Sequence, residues 1–281
     1  MLVIDLIQIR DVLQAALQED IGTGDITSAA TIPEHATATA RYTTKQSLSV
    51  SGLPVVAELI RMVDSKLKFK ARSADGDVVE VGTVLAEMSG SARSILAVER
   101  VTLNLLQRMC GITTMTRHYV ERVRGTKARV IDTRKTAPGL RLLDKYAVAC
   151  GGGTNLRIGL YDAVLIKNNH LIFHRTLTET LAEARRNLSP AMKIEVEVAS
   201  MEQLEEAIAA KADVILLDNF TPEQTRHAVI QCGGRVPLES SGGITLENIR
   251  DYAVTGVDRI SVGALTHSVV AADIHLRVIP D

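Results

Sequence analysis

Arg134, Lys135 and Arg141 put three cations within eight residues, where an apolar, strand-like run (Ala128-Arg129-Val130-Ile131) ends. Pro138-Gly139 then breaks the chain before a helical pattern that begins near Leu140. Cations at the carboxyl end of a strand, where a loop turns toward a helix, are where α/β enzymes hold anionic substrates. A lone Arg-Lys pair reads more simply as a solvated basic turn. That reading weakens here, because polar clusters follow later strand-like runs in the same position. Lys167, Asn168, Asn169 and His170 follow the run 163–166. Glu195 and Glu197 occupy alternate positions of the next run, with Lys193 on the same parity, so they share one face. Asp218 and Asn219 close the run 213–217, and Glu239, Ser240, Ser241, Gly242 and Gly243 follow 236–238. The last run ends in Ser261-Val262-Gly263.

If these strand ends meet on one rim, a cationic half (Arg134, Lys135, Lys167) faces a carboxylate half (Glu197, Asp218). The two glycine-containing turns, at 241–243 and 261–263, complete the ring. Backbone N–H groups in such turns form phosphate cradles, which in barrels commonly follow the last two strands. Carboxylates beside phosphates usually mean a hydrated Mg²⁺. The residues therefore describe a site for a phosphorylated substrate and a second anion.

The elements that must position these groups fall into two regions of different period. A first helix is expected over about 6–17, with apolar Ile9, Leu13 and Leu17 on one side. Residues 36–90 then alternate with period two, giving strand candidates at 38–44, 67–71 and 84–88. A helix from Leu53 to Val63 interrupts them, with Pro54 in its first turn after Gly52. This is the pattern of a small α+β domain with a mostly antiparallel sheet. Residues 94–119 read as one long helix or a broken pair, with the break expected at Gly111.

From about 128 the order becomes strand, loop, helix, repeated. Strands are expected at 128–132, 163–167, 193–198, 213–217, 236–240 and 258–262. Helices fill the gaps, for example over 201–210 and 222–231. Near-continuous apolar runs such as Val214-Ile215-Leu216-Leu217 indicate strands covered on both faces, hence a parallel sheet. At least six such units fit an α/β barrel better than an open doubly wound sheet. The open sheet stays possible, since six strands are counted rather than eight. No GxGxxG follows a strand, so the usual dinucleotide mark is lacking.

Composition bounds the function. The chain has 281 residues, suited to one large α/β domain or two unequal ones, and 46% are apolar, ample for a large core. Aromatic residues make up 3% with no Trp, which disfavours base-stacking platforms. The net charge of −1 argues against a surface that coats nucleic acid. Asp5, Arg10 and Asp11 interrupt the opening Met1-Leu2-Val3-Ile4, so no signal sequence or membrane span is expected there. Cys110, Cys150 and Cys232 are odd in number and far apart, and read as reduced thiols of a cytoplasmic protein. No His/Cys cluster has zinc-site spacing.

The polar clusters, read in order, resemble a known family. The matching stretches begin at Glu19-Asp20-Ile21-Gly22-Thr23-Gly24-Asp25, Glu99-Arg100-Val101-Thr102-Leu103-Asn104 and Asp132-Thr133-Arg134-Lys135-Thr136. They go on through Gly151-Gly152-Gly153 to Arg157, then Lys167-Asn168-Asn169-His170, Glu195-Val196-Glu197-Val198 and Leu217-Asp218-Asn219. Glu239-Ser240-Ser241-Gly242-Gly243 and Ser261-Val262-Gly263-Ala264 finish the series. Over nearly its whole length the chain is similar to the quinolinate phosphoribosyltransferases.

The resemblance implies an N-terminal α+β sandwich (1–110, to which 268–281 return) and an incomplete, seven-stranded α/β barrel (111–267). It implies the reaction of quinolinate with phosphoribosyl pyrophosphate to nicotinate mononucleotide, pyrophosphate and CO₂, with Mg²⁺, in NAD biosynthesis. Arg134, Arg157 and Lys167 would hold the quinolinate carboxylates, with Thr133 beside them. Arg100 would reach the site of a neighbouring subunit in a homodimer or larger assembly. Lys135 would sit at the pyrophosphate end. Glu197 and Asp218 would face the ribose hydroxyls, and the metal only through substrate or water. Ser241-Gly242-Gly243 and Ser261-Val262-Gly263 would wrap the 5′-phosphate. Lys135, Glu197 and Asp218 are the expected catalytic set, and no nucleophile is required.

One position departs from the family pattern. An Asn-His-Arg triplet usually follows the glycines, and here it is Asn155-Leu156-Arg157. Leucine offers no hydrogen bond to a carboxylate. Two alternatives stay open: a related phosphoribosyltransferase for another small aromatic acid, or a homologue that binds phosphoribosyl groups without catalysis.

Overall fold

The computed structural model describes residues 4–174 and 176–281, so Met1, Leu2 and Val3 of the opening segment lie outside the described residues. The chain divides into two compact units.

The first unit comprises Met1–Arg117, Thr136–Gly152 and Ser268–Asp281. Helix α1 (Leu6–Ile21) starts at Asp5, whose carboxylate accepts the Ile7 N–H at 2.9 Å, and it buries Ile9, Leu13 and Leu17. Asp25 caps α2 (Ile26–Thr31) in the same way. Strand β1 (Thr37–Thr44) alternates exposed and buried side chains, as its period predicts. Residues Leu48–Ser49 form β2 and Leu53–Val63 form α3, which opens with Pro54 as expected. Strands β3 (Lys68–Ala71), β4 (Val78–Val79) and β5 (Val84–Ser91) follow.

The sheet order is β12-β1-β5-β3, all pairs antiparallel, where β12 is the chain-end strand Ile274–Pro280. Strands β2 and β4 make a separate short ladder.

Helix α4 (Ala92–Val123) is continuous, so the break expected at Gly111 does not occur. A single glycine in a helix costs only about 1 kcal/mol against alanine, too little to break one this long. Gly111 serves a close approach instead: a β-carbon there would lie 2.2 Å from the Val270 carbonyl oxygen. The boundary expected after residue 110 falls inside this helix, which the first unit follows to Arg117. Helix α5 (Arg141–Cys150) also belongs to the first unit, where buried Asp144 takes both Arg108 nitrogens at 2.8 Å.

The second unit comprises His118–Lys135 and Gly153–His267. Its strands are β6 (Arg129–Ile131), β7 (Val164–Ile166), β8 (Ile194–Val198), β9 (Val214–Asp218), β10 (Leu238–Ser241) and β11 (Arg259–Ser261). They form one parallel sheet in the order β6-β11-β10-β9-β8-β7. Between them run α6 (Asn168–Leu171), α7 (Leu177–Asn187), α8 (Met201–Ala209), α9 (Pro222–Cys232), α10 (Ile249–Ala253) and α11 (Ala264–His267). Thr176, Ser200 and Thr221 accept the first-turn N–H groups of α7, α8 and α9.

Among the described residues the sheet has six strands rather than the seven that the resemblance implies. The seventh position is a single parallel bridge between Ile131 and Thr154. Its backbone bonds are Thr154 N–H to Val130 O at 2.9 Å and Asp132 N–H to Thr154 O at 3.1 Å. The glycines before Thr154 have no side chains to pack, and Thr154 and Asn155 are exposed, so the ladder stops there.

A candidate active site at the strand ends of the second unit

The carboxyl ends of all six parallel strands surround a cavity of about 830 Å³. This is where barrel enzymes place their chemistry, because the loops there can vary while the strands stay fixed. Its wall includes Thr133, Arg134 and Lys135 after β6, Arg157, and Lys167 after β7. Glu197 of β8, Asp218 of β9, Ser241, Gly242 and Gly243 after β10, and Ser261 of β11 complete it. The structure thus gathers eleven of the fourteen expected residues. Three are not in the wall: Val262 is fully buried, Gly263 lies beside Lys135, and Arg100 is exposed on α4 in the first unit.

On the cationic side, burial first and the neighbouring Arg134 charge second hold the Arg157 pKa below its ordinary value. Two guanidiniums near enough to feel each other's charge in a half-buried wall gain stability when an anion joins them. Arg157 also reaches the Ala163 carbonyl at 3.5 Å. Next to it the Leu156 N–H donates to Asp132 Oδ1 at 2.9 Å, while its side chain forms part of the wall. Lys135 is fixed through its backbone: its carbonyl accepts the Thr266 hydroxyl at 2.8 Å and its N–H donates to Thr133 Oγ1 at 3.1 Å. A β-carbon at Gly263 would come within 3.1 Å of the Lys135 stem, so this glycine makes room for the lysine.

On the carboxylate side, Glu197 is held by Lys167 Nζ at 3.6 Å and by the Asn168 N–H at 3.4 Å. His170 accepts the Lys167 N–H at its Nδ1, 2.8 Å away, and lies in the wall. It caps a turn and faces the site at once. The phosphate-turn candidates depend on glycine. Gly242 has φ +95°, and a β-carbon on it would lie 2.1 Å from Asn219 Oδ1.

Glu239, Leu160 and Asn219 also line the wall; sequence reasoning put Glu239 and Asn219 at strand ends without giving either a role, and missed Leu160. Glu239 shares the parity of Ser241, which was the available signal. Asn219 carried one too, since it follows a strand-end carboxylate. Leu160 sits in an irregular loop and left none. Burial pushes the Cys110 thiol up to about 12 and the Cys150 thiol up to about 11, so neither is an activated nucleophile.

The family model for the quinolinate phosphoribosyl transferase N-terminal domain matches residues 25–110, and that for its C-terminal domain matches 112–277. The chain belongs to the quinolinate phosphoribosyltransferase family. It is 42% identical over 272 residues to the probable nicotinate-nucleotide pyrophosphorylase [carboxylating] of Bacillus subtilis, covering 97% of this chain and 94% of that one. It is 44% identical over 273 residues to the Mycobacterium leprae nicotinate-nucleotide pyrophosphorylase, covering 95% and 96%. Among solved structures, NadC from Streptococcus pyogenes superposes with TM-score 0.96 at 37% identity over the full length of both chains. The Francisella tularensis nicotinate-nucleotide pyrophosphorylase gives 0.93 at 39%, covering 99% and 98%.

Proposed function

We propose that this chain transfers the phosphoribosyl group of phosphoribosyl pyrophosphate to the ring nitrogen of quinolinate, releasing pyrophosphate and CO₂. The product is nicotinate mononucleotide, for NAD biosynthesis. The observation that carries this reading is the wall of Arg134, Arg157 and Lys167. Three cations suit two adjacent carboxylates, and Arg forks match carboxylate geometry.

The chain's residues then act by holding and orienting. Glu197 and Asp218 stand where positive charge grows on the ribose C1 as its bond to pyrophosphate breaks. Lys135 takes up the negative charge growing on the leaving group. The new bond from ring nitrogen to C1 makes the ring cationic. That charge stabilises the electron pair left on the adjacent carbon when its carboxylate departs as CO₂, and a proton then takes that pair. The protein has only to fix the dianion and exclude water.

The wall fits a Mg²⁺ that arrives with the pyrophosphate. It offers the two carboxylates of Glu197 and Asp218, and among the described residues no group of three or more His, Cys, Asp or Glu could hold a metal unaided. Both would act through metal-bound water or substrate and not as direct ligands. Held there by Glu197 and Asp218 through water or substrate, the ion would supply neutralising charge for the leaving pyrophosphate.

We extend the reading to a homodimer in which Arg100 reaches the partner's site. Its exposure on α4 supports this, as does the exposure of Leu160, Tyr161, Ile172 and Phe173 on the second unit. We place the enzyme in the cytoplasm, in keeping with Cys110, Cys150 and Cys232 all being free thiols. Among the described residues no helix is long and apolar enough to cross a membrane.

Leu156 favours a second reading, in which its apolar side chain selects an aromatic acid other than quinolinate. One experiment separates the two. The protein is incubated with phosphoribosyl pyrophosphate, Mg²⁺ and either quinolinate or nicotinate, and mononucleotide and CO₂ are measured. Formation of nicotinate mononucleotide with CO₂ from quinolinate supports the first reading. No turnover of quinolinate at millimolar concentration refutes it.

A further inference from the structure

Below the rim, the second unit buries a carboxyl pair that the reaction described above does not use. Glu239 of β10 is fully buried, and Glu195 of β8 is nearly so. Branched apolar side chains ordinarily fill this layer of an α/β barrel. A buried ionic cluster adds little stability over such a filling, so its presence is better explained by what it holds.

Glu239 accepts the hydroxyl of Ser261 through Oε1 and also borders the cavity. The carboxyl groups of Glu195 and Glu239 are close neighbours below the rim. An ionised carboxylate only accepts, so a bond between the two requires one proton. With both ionised, Glu195 Oε1 and Glu239 Oε2 are left buried without a donor. Burial, followed by the charge of Glu239, pushes Glu195 up to about 8, and burial likewise raises Glu239. Arg259 on β11 and Arg157 face Glu195, while Arg259 and Asp132 face Glu239.

We propose that Glu239, braced by Glu195, is a positioning residue that fixes the Ser261 hydroxyl and with it the Ser261-Val262-Gly263 turn on the phosphoribosyl side of the cavity. This rests on the reading of that turn as part of the 5′-phosphate cradle. Glu239 acts through Ser261 and stabilises the wall from behind. One negative charge shared by the pair balances Arg259 without placing a second anion next to the phosphate.

The test measures KM for phosphoribosyl pyrophosphate, KM for quinolinate, kcat and melting temperature in a set of variants. Glu239→Gln and Glu195→Gln each replace a protonated carboxyl by an amide that can donate, and each should keep the phosphoribosyl pyrophosphate KM within about threefold of wild type. The double Gln variant removes the negative charge that the pair presents to Arg259 and should raise that KM about tenfold or more, with quinolinate KM unchanged. Glu239→Leu should do the same in an otherwise native background, and should add nothing once Ser261→Ala is present.

Additive effects of Glu239→Leu and Ser261→Ala, or equal rises in both KM values, would overturn the proposal in favour of a general structural role. If Glu239→Leu does not fold, the Gln set decides. A double Gln variant no worse than the singles overturns the proposal. Ser261→Ala alone separates the two levels: no effect on phosphoribosyl pyrophosphate KM refutes the cradle reading and the proposal together. A rise there with no effect of the Glu239 variants refutes the proposal only.

Discussion

Leu156 is the residue where chemistry and family pattern disagree, and its place in the cavity wall makes the disagreement testable. The cations around it are intact, so quinolinate should bind without the bond that a histidine would add. A hydrogen bond to a charged group is worth about 1.5–3 kcal/mol, or roughly ten- to a hundredfold in affinity. Leu156→His is therefore expected to lower the quinolinate KM within that range and to leave phosphoribosyl pyrophosphate unaffected. If the variant instead loses turnover of the acid that wild type prefers, the leucine packs against a different ring. A second residue-scale outcome concerns pH. Glu195 has its pKa raised from 4.5 to about 8, so the fold prefers its neutral form. Its contribution to stability is complete below the unfolded value and is lost as pH rises through about 8. Glu195→Gln stays neutral throughout, so its melting temperature should fall less than that of wild type between about pH 6 and 9. Parallel profiles would contradict the shift.

At the scale of elements, glycine positions carry much of the site. Gly242→Ala must hold a side chain at φ +95° and also displace Asn219, itself a non-glycine residue at φ +57°. The left-handed conformation alone costs about 1–2 kcal/mol. The expected result is a raised KM for phosphoribosyl pyrophosphate with quinolinate binding preserved; an unchanged value would remove the 241–243 turn from the cradle. The strands were legible because both periods were clean: alternation for β1 and β8, and apolar runs for β7 and β9. Gly111 was misread as a break because its reason for being glycine, the Val270 carbonyl, lies 159 positions away in sequence. The seventh strand was expected from resemblance alone, and local composition reduces it to one bridge. Glu239 was hidden for a different reason. Its parity put it on the site face, but a glutamate three residues before a glycine run does not announce a partner on β8.

At the scale of the whole molecule, the order of clusters along the chain made the family legible, because each strand end contributes its own short motif. What a single sequence does not carry is which copy of the chain completes a site. Arg100 belongs to the first unit and Lys167 to the second. If Arg100 serves the partner's site, Arg100→Ala and Lys167→Ala should each be nearly inactive, and mixing them should restore activity in heterodimers that contain one intact site. Failure to complement, with subunit exchange demonstrated, would place Arg100 in its own subunit's site or in a structural role. The central claim is that the Arg134, Arg157 and Lys167 wall presents a dicarboxylate to an activated ribose. The direct measurement follows isotope-labelled CO₂ from quinolinate marked at the carboxylate beside the ring nitrogen. The account predicts one labelled CO₂ for each pyrophosphate released, only when phosphoribosyl pyrophosphate is present, with the other carboxylate retained in nicotinate mononucleotide. Pyrophosphate release without CO₂, or transfer to nicotinate in preference to quinolinate, would contradict it.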